Sequence, residues 1–528
     1  MFSSKKGLFK KDHCPKSDSN VTVLHHKKPT GANMGNDIQP YLSVTNTPVV
    51  GSIDFNDFLS FYTNLDCIIN ESGLGHLFAM QFVKATYAEK KKQYAERGRE
   101  YTMSDKSQNA YLKEGHEAFR CCIIREVEGL SYRKLNIALA SNLTLQKFAL
   151  LDNIVEITVP SKSTLQRYTN LLSCDDFSKI HDRFNVMLFK DKLFLDDLEG
   201  GDLYLDATCI EAQMRYPVDW LLVRDGIRTM VKAMVLIRSA GIKCRMGDPK
   251  YFMSKMNGLC IKMAAANRKK DAAKKRKSVL REMKKLEKTI RQHAFSHLEI
   301  FERSWSQTKY TEGRSRVITD RLRKTIEIMP KVVYQAHERI IGERQVKNAD
   351  KILSLYQDDV HVVTRRKAGA HNEFGSQLLI AEQANGFIVH ANFEKEKISN
   401  ESKMLPGTIE YYKSVFGKVP DSITTDRGFS SPQVHEQLYE EKIYDAICPK
   451  SPAKLQERMK EPAFRQKMKR RGPNEGRISI VKNNFLSGAK KAYTYARRHK
   501  AVCWGILVHN LTKLAKILIE KEKLESVV

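Results

Sequence analysis

The sequence predicts an α/β protein: a core with a mixed five-stranded sheet and helices, a helical N-terminal region before it, and a large helical insertion between the first and second strands. Three observations predict this class. Short apolar runs with period-two alternation, bounded by Gly, Pro or Asn, recur at 203–208, 373–393 and 419–448. Helical periodicity fills most of 52–180 and 217–350. A chain of 528 residues, 41% of them hydrophobic, has the length and apolar content for two or three cored domains.

Residues 1–48, rich in Ser, Asn, Lys, Gly and Pro, read as a flexible lead-in. Residues 49–195 form a helical region. Phe55 to Tyr87 is amphipathic and nearly free of breakers, Ser131 caps a new helix after Gly129, and Pro160-Ser161-Lys162-Ser163 opens another that carries Lys162, Arg167 and Tyr168. Short helices joined by turns, with basic residues on the last, predict a helix-turn-helix-like DNA reader, with a plain helical scaffold as the alternative.

The pattern changes at 196–216, the first part of the core. After Gly200-Gly201, Leu203, Leu205 and Ala207 take one face of a strand and Tyr204, Asp206 and Thr208 the other. An Asp inside a strand is unfavourable unless something satisfies it. Residues 217–350 return to charged helical sequence, the insertion. The remainder of the core spans 351–515: a strand at Glu373–Glu382, a hairpin turn at Asn385-Gly386, a strand at Phe387–Phe393, a helix over Lys403–Phe416, a strand ending on Asp426, a helix opened by Ser430-Ser431-Pro432, and a strand at Ile443–Cys448. Residues 516–528 read as a charged tail. Trp220, Trp305 and Trp504 read as packing residues, with Trp305 the best placed of them to wedge into a duplex.

The formal net charge is +29 and it is concentrated. Residues 268–291 hold twelve Lys or Arg against three acids and residues 450–500 sixteen against three, which together supply 22 of the 29 excess charges. Dense basic segments predict a polyanionic partner, because neutralised phosphates release condensed counterions. Nucleic acid leads. A solvated helix face is the alternative for 268–291, where Leu280, Met283, Leu286 and Ile290 recur at near-helical spacing. The start of the chain lacks a signal-peptide core and no run of 18 apolar residues occurs, so a cytoplasmic protein with no membrane partner is expected. Ten cysteines without a C-x-x-C pair predict reduced, mostly buried thiols, with a structural zinc site or disulfides as the alternatives.

Strand with Asp, hairpin, helix, strand ending in Asp, helix, strand and a final helix with Glu is the element order of an RNase H-like core. Asp206, Asp426 and Glu475 sit where such a core converges three carboxylates, the number that holding two divalent cations requires. Arg471 and Lys482 stand four residues before and seven after Glu475, spacings that would share one helix face. Proline at 473 disfavours helical geometry in the preceding residue, so the helix is expected to begin near Pro473 and leave Arg471 on a loop.

Here the chain resembles the DDE transposases of bacterial insertion sequences, in the branch whose last catalytic segment reads Tyr-x2-Arg-x3-Glu-x6-Lys. Arg471, Glu475 and Lys482 match three of the four positions, and Met468 occupies the Tyr position. Leu205-Asp206-Ala207-Thr208 with Arg215-Tyr216-Pro217, Glu373-Phe374-Gly375 and Thr425-Asp426-Arg427-Gly428 extend the resemblance over most of 50–515. It implies that Asp206, Asp426 and Glu475 are catalytic and bind two Mg2+ ions, with Mn2+ able to substitute, and that double-stranded DNA (terminal inverted repeats and target) is cut and joined by an active homodimer at a bacterial nucleoid. The basic residues expected on DNA are Arg471, Lys482, Arg477, Arg427, Lys490 and Lys491 in the core, and Lys162 and Arg167 in the N-terminal region. Two other readings stay open: an inactive DNA-binding derivative of such an enzyme, and an RNase H-like nuclease acting on RNA or hybrid duplex.

Overall fold

A computed structural model describes residues 51–525, apart from 153–155, 197, 199, 267–270, 349, 358, 368–369 and 399. The expected lead-in, residues 268–270 of the first basic segment and the end of the expected tail lie outside the described residues.

Helices make up most of the described residues before the first strand: α1 (Ile53–Glu71), α2 (Leu74–Ala95), α3 (Asp105–Val127), α4 (Tyr132–Ser141), α5 (Leu143–Phe148), α6 (Lys162–Leu171) and α7 (Cys174–Asn185). The sequence signals for their starts hold locally. The Ser131 hydroxyl accepts from the Lys134 amide at 3.4 Å and the Ser161 hydroxyl from the Thr164 amide at 3.2 Å, so each supplies an acceptor to an otherwise orphaned helical N–H.

Strand β1 (Asp202–Glu211) follows, and then α8 (Asp219–Ser239), α9 (Pro249–Ala266), α10 (Ala272–Ser304) and α11 (Glu312–Ile340). These four helices close on a core of their own, including Ile227, Met230, Met256, Leu280, Met283, Ile290, Leu322 and Met329. The apolar spacing noted in the basic segment is the buried stripe of α10, and its charges take the other faces. Trp220 and Trp305 pack against this core, leaving Trp305 half-buried rather than projecting as a wedge.

Strands β2 (His361–Lys367), β3 (Ala370–Gln383) and β4 (Ile388–Phe393) come next, followed by α12 (Leu405–Phe416), β5 (Ser422–Thr425), α13 (Pro432–Glu440), β6 (Tyr444–Ile447), α14 (Pro452–Arg458), α15 (Pro462–Ile480), α16 (Ser487–Lys490) and α17 (Tyr495–Glu525). Among the described residues the sheet therefore has six strands where five were expected. The additional one is β2, whose basic Arg365-Arg366-Lys367 end breaks the alternation that marks a strand. Both β2 and β4 pair antiparallel with β3, along successive parts of it; β3 pairs antiparallel with β1, and β1, β5 and β6 run parallel. At the β3–β4 hairpin Gly386 takes φ +87°, which its missing Cβ permits.

Helices cover the sheet on both faces. Leu203, Leu205, Leu379, Ala381 and Ile423 pack with Leu405, Ile409, Tyr412, Val434 and Leu438 of α12 and α13. Ile210, Leu378, Ile380 and Ile388 pack on the opposite face with Ile478, Ala489, Val502 and Ile506 of α15 to α17. This mixed sheet between helical layers is compatible with an RNase H-like fold. Helix α17 has the length and apolarity of a membrane span, yet Trp504, Leu507, Leu511 and Leu514 are buried among the N-terminal helices and Val502 and Ile506 against the sheet. The residues expected as a charged tail continue that helix to Glu525.

Candidate active site

Period-two geometry decides which way Asp206 points. Leu205 and Ala207 face α12 and α13, so Asp206 between them faces α15. The parallel β1–β5 ladder runs to Tyr204 and Thr424, so Asp206 on β1 and Asp426 just past the end of β5 both lie two residues beyond its last pair, and the charge of Asp426 reaches Asp206. Asp426 is held at the end of β5 by its Oδ1, which accepts from the Gly428 amide at 2.8 Å, and the Asp206 Oδ1 accepts from the Ala207 amide at 2.9 Å. The third carboxylate, Glu475, arrives from α15 and is exposed, with Arg471 Nη2 donating to its Oε1 at 2.6 Å.

The electrostatics join these residues into one cluster. Asp206 is pushed up to about 6, first by burial and next by the charge of Asp426, with Glu475 adding to the effect while the Ala207 amide and Arg471 oppose it. Like charges are thus crowded at a half-open edge, and their donor atoms are all oxygen. That is what a hard divalent cation requires.

Helix α15 owes its position to a second acidic residue that sequence reasoning missed. Glu382 on β3 lies on the α15 face and is 1% exposed. Arg477 approaches its Oε1 at 3.4 Å and Arg470 at 3.8 Å, and the Asn474 amide, turned so that its nitrogen faces the carboxylate, donates at 3.0 Å. Burial pushes Glu382 up to about 7 against the pull of Arg477 and Arg470. Two turns earlier Lys467 Nζ sits 2.6 Å from Asp202 Oδ1. A charged residue at 382, continuing the core positions 378 and 380 of β3, was the signal available in the sequence.

Helix α15 is also continuous through Pro473, so Arg471 lies on the helix and not on a preceding loop. Gly472 removes the Cβ against which the proline ring would press, and the Glu382 and Asp202 anchors hold the segment helical on both sides. Lys482 falls in a π-helical turn, Val481–Phe485, immediately after α15, and the simple helical count from Glu475 does not carry through such a turn. Met468 is half-buried on α15, three residues before Arg471.

The basic residues divide. Arg471 is drawn to Glu475, and Arg477 is paired with the buried Glu382, where its guanidinium also packs over Gly386. Arg427 beside Asp426 and Lys491 at the end of α16 are exposed, Lys482 and Lys490 are half-buried, and none of the four has an ion pair among the described residues. Lys162 and Arg167 lie elsewhere, on α6, which packs against α2, α3, α4 and α17. Arg167 is paired with Glu114 and lines a cleft of about 480 Å³ with Ser163, Gln166, Asn170, Arg497 and Lys500. One further carboxylate was not foreseen. Glu401 Oε2 lies 2.6 Å and Asp426 Oδ1 2.9 Å from the point a Cβ at Gly428 would occupy, so only glycine lets both approach.

Residues 358–511 match the family model of the transposase DDE domain, a span that contains Asp426 and Glu475 and begins after Asp206. The match supports a transposase function in general. No curated protein and no solved structure matches the chain.

Proposed function

We propose that the chain is a DDE transposase of the insertion-sequence type, which cuts DNA at the ends of a mobile element and transfers the freed 3′-hydroxyl into target DNA. The observation that carries this reading is the approach of Asp206 and Asp426, just beyond the paired part of β1 and β5, with Glu475 within electrostatic reach, inside and next to a segment that matches the transposase DDE domain.

Asp206, Asp426 and Glu475 would hold two magnesium ions, with manganese as a substitute. These would lower the pKa of the attacking water and stabilise the departing oxygen. The chain's own contribution is position and charge. Asp206 and Asp426 are held by backbone amides just beyond the paired part of β1 and β5, while Glu475 rides on a helix pinned through Glu382. Arg471, paired here with Glu475, would offer its fork to two oxygens of a phosphate beside the scissile bond. Lys482 and Arg427, unpaired among the described residues, supply further phosphate contacts. Double-stranded DNA is the partner in this reading, two ends are joined by a homodimer, and the site of action is the nucleoid.

The test is a nicking and strand-transfer assay on supercoiled DNA carrying the sequences that flank the coding region, with magnesium or manganese. Asp206→Asn, Asp426→Asn and Glu475→Gln should each cut more than about 100-fold slower, beyond the usual cost of losing outer support of a metal site. Parent-like cutting by all three variants would remove the assignment, and preference for an RNA or hybrid duplex would replace it with the nuclease reading.

A further inference from the structure

A second cluster of possible ligands lies away from the carboxylates. The Cys174 thiol, a ring nitrogen of His499 and the Cys503 thiol lie within 4.8 Å of one another. Cys174 is the first residue of α7, while His499 and Cys503 are four apart on α17 and so share one face of that helix.

None of this proximity depends on the thiols themselves. The first turn of α7 is set by a capping box in which the Ser173 hydroxyl accepts from the Asp176 amide at 3.1 Å and the Asp176 carboxylate accepts from the Ser173 amide at 3.0 Å. The two helices are locked by the Phe177 and Trp504 rings, 4.8 Å apart edge to face, and by a 3.1 Å hydrogen bond between the His181 ring and the Cys503 carbonyl. The His499 ring is flanked by Phe393 at 5.7 Å and Tyr495 at 5.5 Å. Three donors are therefore held together by packing before anything binds.

We propose that Cys174, His499 and Cys503 form a binding site for a zinc-class divalent cation, which clips α7 to α17. Two thiolates and an imidazole are a soft to borderline donor set, suited to zinc, whereas the all-oxygen carboxylate cluster suits magnesium. Three protein ligands leave the fourth tetrahedral position to water. The N-terminal end of α7 and the neighbouring Lys500 place positive charge beside the Cys174 thiolate. The clip has a location that matters. Helix α7 leads into β1, which carries Asp206, and α17 follows the helices that carry Glu475, so a cation here ties the N-terminal helices to the catalytic sheet.

The full chain, purified and kept reduced, is titrated with Co2+ and followed by its thiolate-to-cobalt charge-transfer absorption, a signature that carboxylates do not produce. One equivalent should give the band, Zn2+ should abolish it and millimolar Mg2+ should leave it. Asp206→Asn should retain it. Cys174→Ser and His499→Gln should each weaken Co2+ binding by about 100-fold or more, and Zn2+ should raise the melting temperature of the parent but not of His499→Gln. No charge-transfer band in the reduced parent overturns the proposal, as does a Cys174–Cys503 disulfide whose reduction yields no Co2+ binding. Because the parent alone can fail, a variant that does not fold leaves the test intact.

Discussion

At the scale of single residues, Asp206 is where burial and charge conflict most plainly. Its carboxyl titrates near 6 in the folded chain, above the ordinary 3.8, so between those values the folded state holds a proton that the unfolded state has released. Stability of the metal-free protein from this group therefore falls as pH rises from about 3.8 to about 6. On the proposed reading cation binding runs the other way, since it needs the deprotonated form. Mn2+ affinity measured calorimetrically should drop as pH falls through about 6, and Asp206→Asn, which removes the repulsion, should raise the metal-free unfolding free energy by about 1–3 kcal/mol. Glu382 offers the complementary case. Replacing it by Ala leaves Arg470 and Arg477 without their buried partner and should cost about 3–5 kcal/mol in a denaturant titration. The reason one of these acids was legible and the other not is local. Asp206 stands in a short strand with Gly200-Gly201 before it and a recognisable frame after it, whereas Glu382 has meaning only through Arg470, Asn474 and Arg477, some ninety residues later in the chain.

The element that decides the site is α15, and here local rules and tertiary contacts disagree. Proline in a helix interior removes a hydrogen bond to the carbonyl four residues back and disfavours helical geometry before it, which predicts a helix start at Pro473. Phe464 is fully buried, Lys467 reaches Asp202, and Arg470 and Arg477 straddle the proline on the same buried acid, so the helix continues at the proline's expense. Sequence propensity could not foresee this, because the compensating partners lie on β1 and β3. The price of the irregularity can be measured. Pro473→Ala should stabilise the chain by up to about 3 kcal/mol in thermal or denaturant unfolding, while the altered path of the helix moves Arg471 and Glu475 relative to Asp206 and lowers cleavage. A variant that gained stability and cut as fast as the parent would show that the proline does nothing for the geometry of the site.

For the whole molecule, the instructive difference is in where the charge goes. Residues 450–500 read as a basic surface, yet Lys467, Arg470, Arg477 and Arg498 are spent on Asp202, Glu382 and Asp359, acids supplied by β1, β3 and the approach to β2. Those pairings close over long sequence separations, as does the core in which Trp504 and Leu511 of α17 meet Phe78 and Phe119 of the N-terminal helices, and no window of sequence displays them. The insertion behaves otherwise. Its helices carry their own core, and on α10 Lys274, Lys275, Arg281, Lys285 and Lys288 are exposed without an ion pair among the described residues. Unpaired positive charge is thus offered by the insertion as well as by the segment around Glu475, where Lys454, Lys460, Arg465, Lys469, Lys491 and Arg497 are exposed without an ion pair among the described residues. If α10 lies along a DNA backbone, replacing Lys275, Arg281 and Lys285 by Gln should weaken binding to duplexes of any sequence and reduce the slope of log affinity against log salt by about 0.9 for each phosphate contact removed. The same variant should unfold within about 0.5 kcal/mol of the parent, since surface changes away from buried features cost no more. An unchanged salt slope in fluorescence-anisotropy titrations would make α10 a solvated face and shift the DNA path to the α6 cleft lined by Arg167, Arg497 and Lys500.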